Sequence, residues 1–373
     1  MNRTHKIRMY PTREQEVQLR KTAGTSRYVY NWALSTWKQM YERFDNGEST
    51  EKPSVSVLAR KWTAERPEWA TETNRGSQTR AIMNVGIAFN SLWRGKSMYP
   101  RFHKKGRKDT FYVDNAHAYL EDGSVHLPQI GKVRLAEKLR YSGKIMSYTV
   151  STYAGQWHVS VQVELSGPDQ SGSVPRSVVG VDVGLKHAAV ASDGSVLDLP
   201  EVISRLQERL KRAQRKLSRK QKKSNNRSKQ LLRKQRVQNK INNIRRDAAN
   251  KFTSRLAKSH GTVVTESLDI IGMMGRADKG LRRNLTWSLM SEIIRQLSYK
   301  AKRHVQVDRF YPSTKTCSSC GHVKENMPLS DRTYRCGQCG LVIDRDMNAA
   351  LNLMHAGAVS PEAPVEKLEF QFP

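Results

Sequence analysis

The apolar positions change period several times along the chain, and each change marks a candidate element. Residues 1–10 read as a short strand that Pro11 ends. Thr12-Arg13-Glu14-Gln15 has the form of a capping box and predicts a helix start. Gly24 is expected to end that helix and Ser26 to cap a second one, on which Tyr30, Ala33, Leu34, Trp37, Tyr41 and Phe44 recur at helical spacing. Residues 54–95 repeat the helical pattern with an interruption near Pro67, giving a helical region over 12–95. Residues 110–165 shift to short alternating runs punctuated by Gly123, Gly131, Gly143 and Gly155, and 157–163 alternate with period two. A small β-barrel is expected there, followed by a Gly-, Ser- and Pro-containing linker over 167–176.

Beyond the linker the texture changes. Residues 177–184 form an apolar run with a single acid, Asp182; 187–191 and 195–199 predict two more strands joined by tight turns. Residues 202–258 are helical, with a bend expected at Asn225-Asn226 and a thin apolar seam of Leu206, Leu210, Leu217, Leu231 and Ile241. A strand over 261–266 again ends in an acid, Glu266. An amphipathic helix over 284–302, a strand over 305–310 and a helix over 346–355 complete the pattern, with a disordered tail expected over 357–373.

Charge narrows the function. The 373 residues carry 65 Lys and Arg against 34 Asp and Glu, a net charge of +31. A folded chain this basic repels itself unless a polyanion neutralises it; nucleic acid is the usual one, with an anionic membrane surface as the rival. No apolar run is long enough to span a bilayer, and the N-terminus lacks a signal-peptide core, so a soluble intracellular protein is expected. Two segments concentrate the basic character. Residues 96–108 interleave Lys, Arg and His with Tyr99 and Phe102, a composition suited to phosphate contacts and base stacking. Residues 205–246 hold 18 Lys or Arg and one acid, Glu208, where phosphate binding explains the single sign better than a merely solvated face.

All four cysteines fall in one window, as Cys317-x2-Cys320 and Cys336-x2-Cys339. In an intracellular chain this spacing predicts one structural Zn2+ held by four thiolates, with Gly321 and Gly340 at the sharp turns. Such a closed site couples on the order of 10–16 kcal/mol of metal binding to folding. It leaves no open position for catalysis, although the ribbon could bring Lys315, Arg332 and Arg335 toward a substrate.

Singly, Asp182 and Glu266 have ordinary explanations as buried or strand-end acids, and Asp344-Arg345-Asp346 as a helix cap. Together, three strands with an acid in the first, then helix, then a strand ending in an acid, resemble the order of an RNase H fold. Three converging carboxylates can hold two Mg2+ ions about 4 Å apart.

The sequence as a whole resembles the TnpB proteins of bacterial insertion sequences, RuvC-like nucleases related to type V CRISPR effectors. The resemblance rests on Gly180-Val181-Asp182-Val183-Gly184, Thr265-Glu266-Ser267-Leu268, the four cysteines and Asp344-Arg345-Asp346-Met347-Asn348-Ala349-Ala350, with Arg8-Met9-Tyr10-Pro11 and Tyr99-Pro100-Arg101-Phe102 in support. It spans about residues 5–354. It implies an α+β, multidomain chain: a wedge-like β-barrel (1–11 and 96–166) with a helical recognition insertion (12–95), then an RNase H-like RuvC domain (177–310 and 341–356) with an inserted zinc ribbon (311–340). It implies an Mg2+-dependent, RNA-guided DNA endonuclease, acting in the cytoplasm at the nucleoid. Its partners are a guide RNA from the transposon end and double-stranded target DNA, bound as a monomer–RNA complex. Carried over by motif, the catalytic metal ligands are Asp182, Glu266 and Asp346; Asp344 caps the helix, and Arg332 is a candidate for gripping the scissile phosphate. The alternatives are a non-cleaving RNA-guided repressor, which intact acids disfavour, and a transposase acting without RNA.

Overall fold

The computed structural model describes residues 2–106, 109–165, 177–328 and 330–359. Two compact units divide it, one within Met1–Gln170 and one within Ser171–Glu369. The expected linker over 167–176 lies outside the described residues, as does the expected tail from 360 onward; residues 357–359 belong to a helix.

The first unit begins with strand β1 (Asn2–Tyr10) and helices α1 (Arg13–Asp45), α2 (Val55–Glu65) and α3 (Arg75–Trp93). Strands β2 (Thr110–Asp114), β3 (Tyr119–Glu121), β4 (Ser124–Leu127), β5 (Gly131–Leu135), β6 (Lys144–Tyr153) and β7 (Gln156–Glu164) follow. They form one seven-stranded antiparallel sheet in the order β2-β6-β7-β1-β5-β4-β3. Period-two alternation builds its core: β7 buries Trp157, Val159, Val161 and Val163, and β1 buries Ile7 and Met9, with Ile7 opposite Val159.

Helix α1 departs from the expected break. It runs through Gly24 as a single 33-residue helix, started by the Thr12 capping box. The buried stripe stays in phase across the glycine: Leu19 and Ala23 pack into the sheet core, while Val29, Leu34 and Trp37 pack with Leu58, Trp62, Ile82 and Phe89 of α2 and α3. An isolated glycine costs about 1 kcal/mol in a helix, less than burial of those side chains returns at about 1.5–3 kcal/mol each. Ser26, expected as a cap, is buried mid-helix instead. The stripe stops at Trp37, since Tyr41 is 49 % exposed. The interruption expected near Pro67 is present as a short 3-10 turn, Glu68–Glu72, between α2 and α3.

The second unit carries β8 (Val178–Asp182), β9 (Ala189–Ala191), β10 (Val196–Leu197), α4 (Val202–Ser218), α5 (Asn225–Ser259) and β11 (Thr262–Glu266). It continues with α6 (Ile270–Arg276), α7 (Lys279–Trp287), α8 (Met290–Lys300), β12 (Arg303–Val307), the hairpin strands β13 (Thr333–Arg335) and β14 (Val342–Asp344), and α9 (Arg345–Val359). Five strands make a mixed sheet in the order β10-β9-β8-β11-β12. The first three form an antiparallel meander, and β11 joins β8 and β12 in parallel. Helices α4 and α5 form the expected hairpin about a seam of Leu206, Leu210 and Ile241, whereas Leu231 is 40 % exposed and contributes little.

Two expected boundaries shift. The helix over 284–302 is instead two helices broken at Ser288. Arg245 of α5 donates from Nη2 to the carbonyls of Trp287 (2.6 Å) and Ser288 (2.8 Å), satisfying helix-end acceptors that a continuous helix would not offer. The last strand forms over 303–307, because Asp308 accepts the Phe310 N–H in a turn (2.8 Å).

One stability consequence arises in the first sheet. Burial, with help from Lys6 and Arg8, lowers the His158 pKa from 6.5 to about 4. The unfolded chain therefore takes up this proton more readily than the folded one, and stability falls as pH drops from about 6.5 toward 4. His158→Gln should flatten that part of the curve of melting midpoint against pH; curves of equal slope for variant and wild type would remove His158 as the cause.

Candidate active site

Strand alternation decides which way the two strand-end acids face. Val179 and Val181 of β8 and Val263 of β11 pack with Phe252 and Leu256 of α5 and Ile293 of α8 on one side of the sheet. Val264 and the intervening residues of β8 face α9 on the other side, where Val264 packs with Leu353. Gly180 meets α9 directly: a Cβ there would lie 2.0 Å from the Ala350 carbonyl oxygen. Period two then puts Asp182 on the face of Gly180 and Glu266 on the face of Val264. The parallel register aligns Val181 with Thr265, so the two acids are neighbours at the C-terminal ends of adjacent strands.

Helix α9 supplies the third acid. Asp344 Oδ1 accepts the N–H groups of Asp346 (2.9 Å) and Met347 (3.1 Å), so Asp344 is the cap that its place in the motif suggested. Asp346 is 8 % exposed, and its Oδ1 accepts from Nε and Nη2 of Arg345, each at 3.2 Å. Electrostatics ties the set together. Burial, followed by the carboxylates of Asp346 and Glu266, pushes Asp182 up to about 7, with Arg345 opposing. Burial also raises Glu266. Arg345 escaped the sequence reading, and a charged residue between two acids offered no signal that it folds back onto one of them.

The cysteines are drawn together in the way their spacing predicts. Their four Sγ atoms lie within 4.8 Å of one another, the one such group of three or more His, Cys, Asp or Glu among the described residues. The Sγ pairs Cys317–Cys339 and Cys320–Cys336 are each 3.6 Å apart, so each close pair takes one thiol from each motif. That is far beyond a disulfide bond and near the edge of about 3.8 Å that Zn–S bonds of about 2.3 Å give a tetrahedron. Each motif closes in the same turn, Gly321 N–H to Cys317 O (3.0 Å) and Gly340 N–H to Cys336 O (3.2 Å), with both glycines at φ +75°. The backbone N–H groups of Cys339 and Gln338 pull the Cys336 thiol down, toward the thiolate that metal binding needs, while burial and the three neighbouring sulfurs push Cys320 up.

The candidate basic residues of the ribbon are placed differently from one another. Arg332 is exposed, and its carbonyl accepts the Arg345 N–H (2.8 Å), which brings it to the end of α9 that bears Asp346. Arg335 is exposed on β13. Lys315 instead spends its ammonium on the Glu325 carbonyl within the ribbon (2.9 Å).

Both basic segments form built surfaces. At the α4–α5 turn, a cavity of about 520 Å3 is lined by Lys216, Arg219, Lys220, Lys229 and Arg233. In the first unit, the loop that includes residues 96–106 is clamped to α1 by Asn31, which exchanges two hydrogen bonds with the His103 backbone (2.7 and 3.0 Å). The His103 ring stacks on Tyr30 at 3.9 Å beside a cavity of about 210 Å3 that Arg27, Arg80 and Asn84 also line. Residues 107–108 of that segment lie outside the described residues. No described helix is long and apolar enough to cross a membrane.

A mixed α+β, multidomain architecture with a thiolate cluster able to hold zinc is thus what the chain presents. It shares that fold with the mini-RNA-guided endonuclease CRISPR-Cas phi3, at a TM-score of 0.50 and 9 % identity over 96 % of this chain and 92 % of the other. Family comparison matches residues 158–277 to OrfB_IS605, described as "Probable transposase", residues 291–353 to a Cas12f1-like TNB domain, and residues 1–46 to a helix-turn-helix domain. In the last of these segments the structure has β1 and the single helix α1. The "Putative RNA-guided DNA endonuclease InsQ" of Escherichia coli K12 is 31 % identical over 371 residues, covering 94 % of this chain and 91 % of that one. A "Putative RNA-guided DNA endonuclease" of Streptomyces pristinaespiralis is 31 % identical over 369 residues, covering 96 % and 90 %. With identity sustained along nearly all of both chains, the protein belongs to the TnpB family.

Proposed function

We propose that this chain is an RNA-guided DNA endonuclease of a transposable element, cutting DNA by hydrolysis at a carboxylate site formed by Asp182, Glu266 and Asp346. The observation that carries the reading is the placement of the acids: two at the ends of adjacent parallel strands on the face covered by α9 and the third at the start of α9, with burial first and the Asp346 and Glu266 carboxylates after it raising Asp182 to about 7. The sheet order β10-β9-β8-β11-β12, meander first and parallel strands after, supports an RNase H-like RuvC domain over 177–310 and 341–356. Ligands of open α/β sheets gather at the carboxyl ends of strands, where these acids stand. In this reading the seven-stranded sheet, with β2 and β3 at its two edges, stands for the wedge-like barrel of the first unit, α1–α3 for the recognition insertion, and 311–340 for the zinc ribbon.

The chemistry of the donors suits two Mg2+ ions. Asp182 feels the carboxylates of Asp346, Glu266 and Asp344 against the single opposing guanidinium of Arg345, an excess of negative charge that divalent cations would neutralise. Carboxylate oxygens are the hard ligands Mg2+ prefers. The cysteine cluster fits one structural Zn2+. When bound, the Mg2+ ions would supply the positive charge that stabilises in-line displacement at phosphorus. The residues of the chain do the rest. Asp182 and Glu266, fixed on rigid strands, set one side of the site. Asp346, held by Arg345 through one oxygen, sets the other. Arg332, exposed and bonded through its carbonyl to the first residue of α9, is the candidate to grip the scissile phosphate.

The basic surfaces bind the nucleic acids by their backbones, as RNA-guided recognition requires. The α4–α5 cavity takes phosphates, and the Tyr30–His103 stack with Arg80 gives the first unit a place for bases as well as phosphates. A net charge of +31 suits a protein that works at the chromosome, in the cytoplasm, as a monomer on its RNA.

The deciding experiment is plasmid cleavage. The protein is co-expressed with RNA from its own genomic flank and offered a matched target behind a randomised flank with Mg2+. Cutting that requires the guide match establishes the reading; guide-dependent binding without cutting makes the chain a repressor, and binding to transposon ends without RNA makes it a transposase. The zinc assignment has its own check. Cys317→Ser should lower the zinc found per chain and destabilise the ribbon, as metal analysis and limited proteolysis would show; full zinc content in that variant contradicts the four-thiolate site.

A further inference from the structure

Two asparagines on α9 are buried more deeply than any acid of the site, and neither has a part in holding metal. Asn348 is 0 % exposed and Asn352 is 2 % exposed. They sit four residues apart, on one face of the helix. Asn348 Nδ2 donates to the Thr316 carbonyl (2.7 Å), and its Oδ1 accepts the Ser318 N–H (3.0 Å). It therefore grips the chain on both sides of Cys317, the first thiolate of the zinc cluster. One turn on, Asn352 Nδ2 donates to the carbonyls of Ser313 (2.8 Å) and Thr316 (2.7 Å), and its own carbonyl accepts the Tyr311 hydroxyl (3.3 Å). The other half of the ribbon is tied to the same helix end: β13 pairs with β14, whose last residue is the cap Asp344, and the Arg332 carbonyl accepts the Arg345 N–H (2.8 Å).

We propose that Asn348 and Asn352 are positioning residues that make the carboxylate site depend on the zinc ribbon. The inference rests on the reading of Asp346 as a metal ligand. A buried amide that loses its partners is costly, so the asparagines favour one arrangement of ribbon and helix together. Asp346 lies two residues before Asn348, within the first turn, the part of a helix that frays most readily. With the four thiolates holding zinc, the segment through Thr316, Cys317 and Ser318 is rigid, and the asparagines fix that turn against it. Without zinc the segment loosens, the first turn is free to shift, and Asp346 no longer stands at a fixed place relative to Asp182. Zinc thus controls cutting without touching the DNA. Because coupling between two binding sites is reciprocal, Mg2+ should in turn tighten zinc.

The test compares wild type, Asn348→Ala and Asn352→Ala in the full-length RNA complex. Three quantities are measured: zinc per chain, the Mg2+ concentration giving half-maximal cutting, and Mn2+ affinity by electron paramagnetic resonance. RNA-bound Mn2+ is subtracted with Asp182→Ala. Both variants are expected to keep zinc and guide-dependent target binding, to need about tenfold more Mg2+, and to recover the wild-type rate when Mg2+ is saturating. That recovery separates positioning from general loss of structure. Should Asn348→Ala lose its zinc, Asn352→Ala, which leaves the Asn348 hydrogen bonds in place, carries the same measurements. Unchanged Mg2+ dependence and unchanged Mn2+ affinity in a zinc-loaded variant overturn the proposal. If wild type itself does not cut, a fall in Mn2+ affinity in the variants upholds the positioning role and sinks the nuclease reading instead.

Discussion

Asp182→Ala is expected to lower guide-directed cutting by about a thousandfold or more while leaving RNA and target binding intact. The size follows from what the carboxylate contributes. A metal ion at a phosphoryl group is worth several kcal/mol of transition-state stabilisation, and at 1.36 kcal/mol per factor of ten, about 4 kcal/mol is three orders of magnitude. Binding should survive because it is carried by basic surfaces on other elements, the α4–α5 turn and the first unit. The same substitution should stabilise the metal-free fold. Asp182 is held beside Asp346 and Glu266, with one guanidinium in partial compensation, and removing it relieves like-charge repulsion in a site that exists to be filled. Cleavage assays, filter binding and melting in chelator check the three parts separately. A variant that cuts like the wild type would end the carboxylate assignment; one that fails to bind target would mean the acid has a structural role that its place at a strand end does not suggest.

How much of this was legible beforehand differs by the physics involved. Cysteine spacing needed no tertiary information, because two thiolates with two residues between them, within one turn, already define half a tetrahedron. The acids were visible as exceptions in apolar strands, and Asp344 as a cap, because both are local signals. What the sequence hid was set by contacts distant along the chain. Gly24 looked like a helix end, yet Leu19, Ala23 and Val29 hold one continuous stripe across it. The break at Ser288 depends on Arg245, more than forty residues earlier. Asn348 and Asn352 lay in plain view within the motif, but no pattern along the chain could say that their amides bind the backbone of the zinc knuckle. Gly180 was read as part of an apolar strand, and its reason is the helix that crosses it.

Gly180→Ala is accordingly expected to damage both stability and cutting, although it adds one methyl group to a strand. The new Cβ would lie 2.0 Å from the Ala350 carbonyl oxygen and 2.5 Å from the Met354 nitrogen. These are backbone atoms of α9, so no side chain can rotate out of the way. Helix α9 would have to lift from the sheet, and it is also seated against β11 where Gly357 meets Val264, a Cβ there lying 2.2 Å from the Val264 Cγ2. Two glycines, one on the strand and one on the helix, thus set the height of α9 above the parallel strands. Overpacking of this kind costs about 1–3 kcal/mol, visible as a lower melting midpoint. The effect on chemistry should be larger than that loss implies. Asp346 rides on the first turn of α9 while Asp182 stays with β8, and a displacement of about 1 Å between reacting groups can cost on the order of a hundredfold in rate. Measured at a temperature where the variant is fully folded, the cutting rate at saturating Mg2+ should therefore drop well below wild type with zinc content unchanged. A Gly180→Ala protein that melts and cuts like the wild type would show that α9 does not rest on β8 as closely as this structure places it.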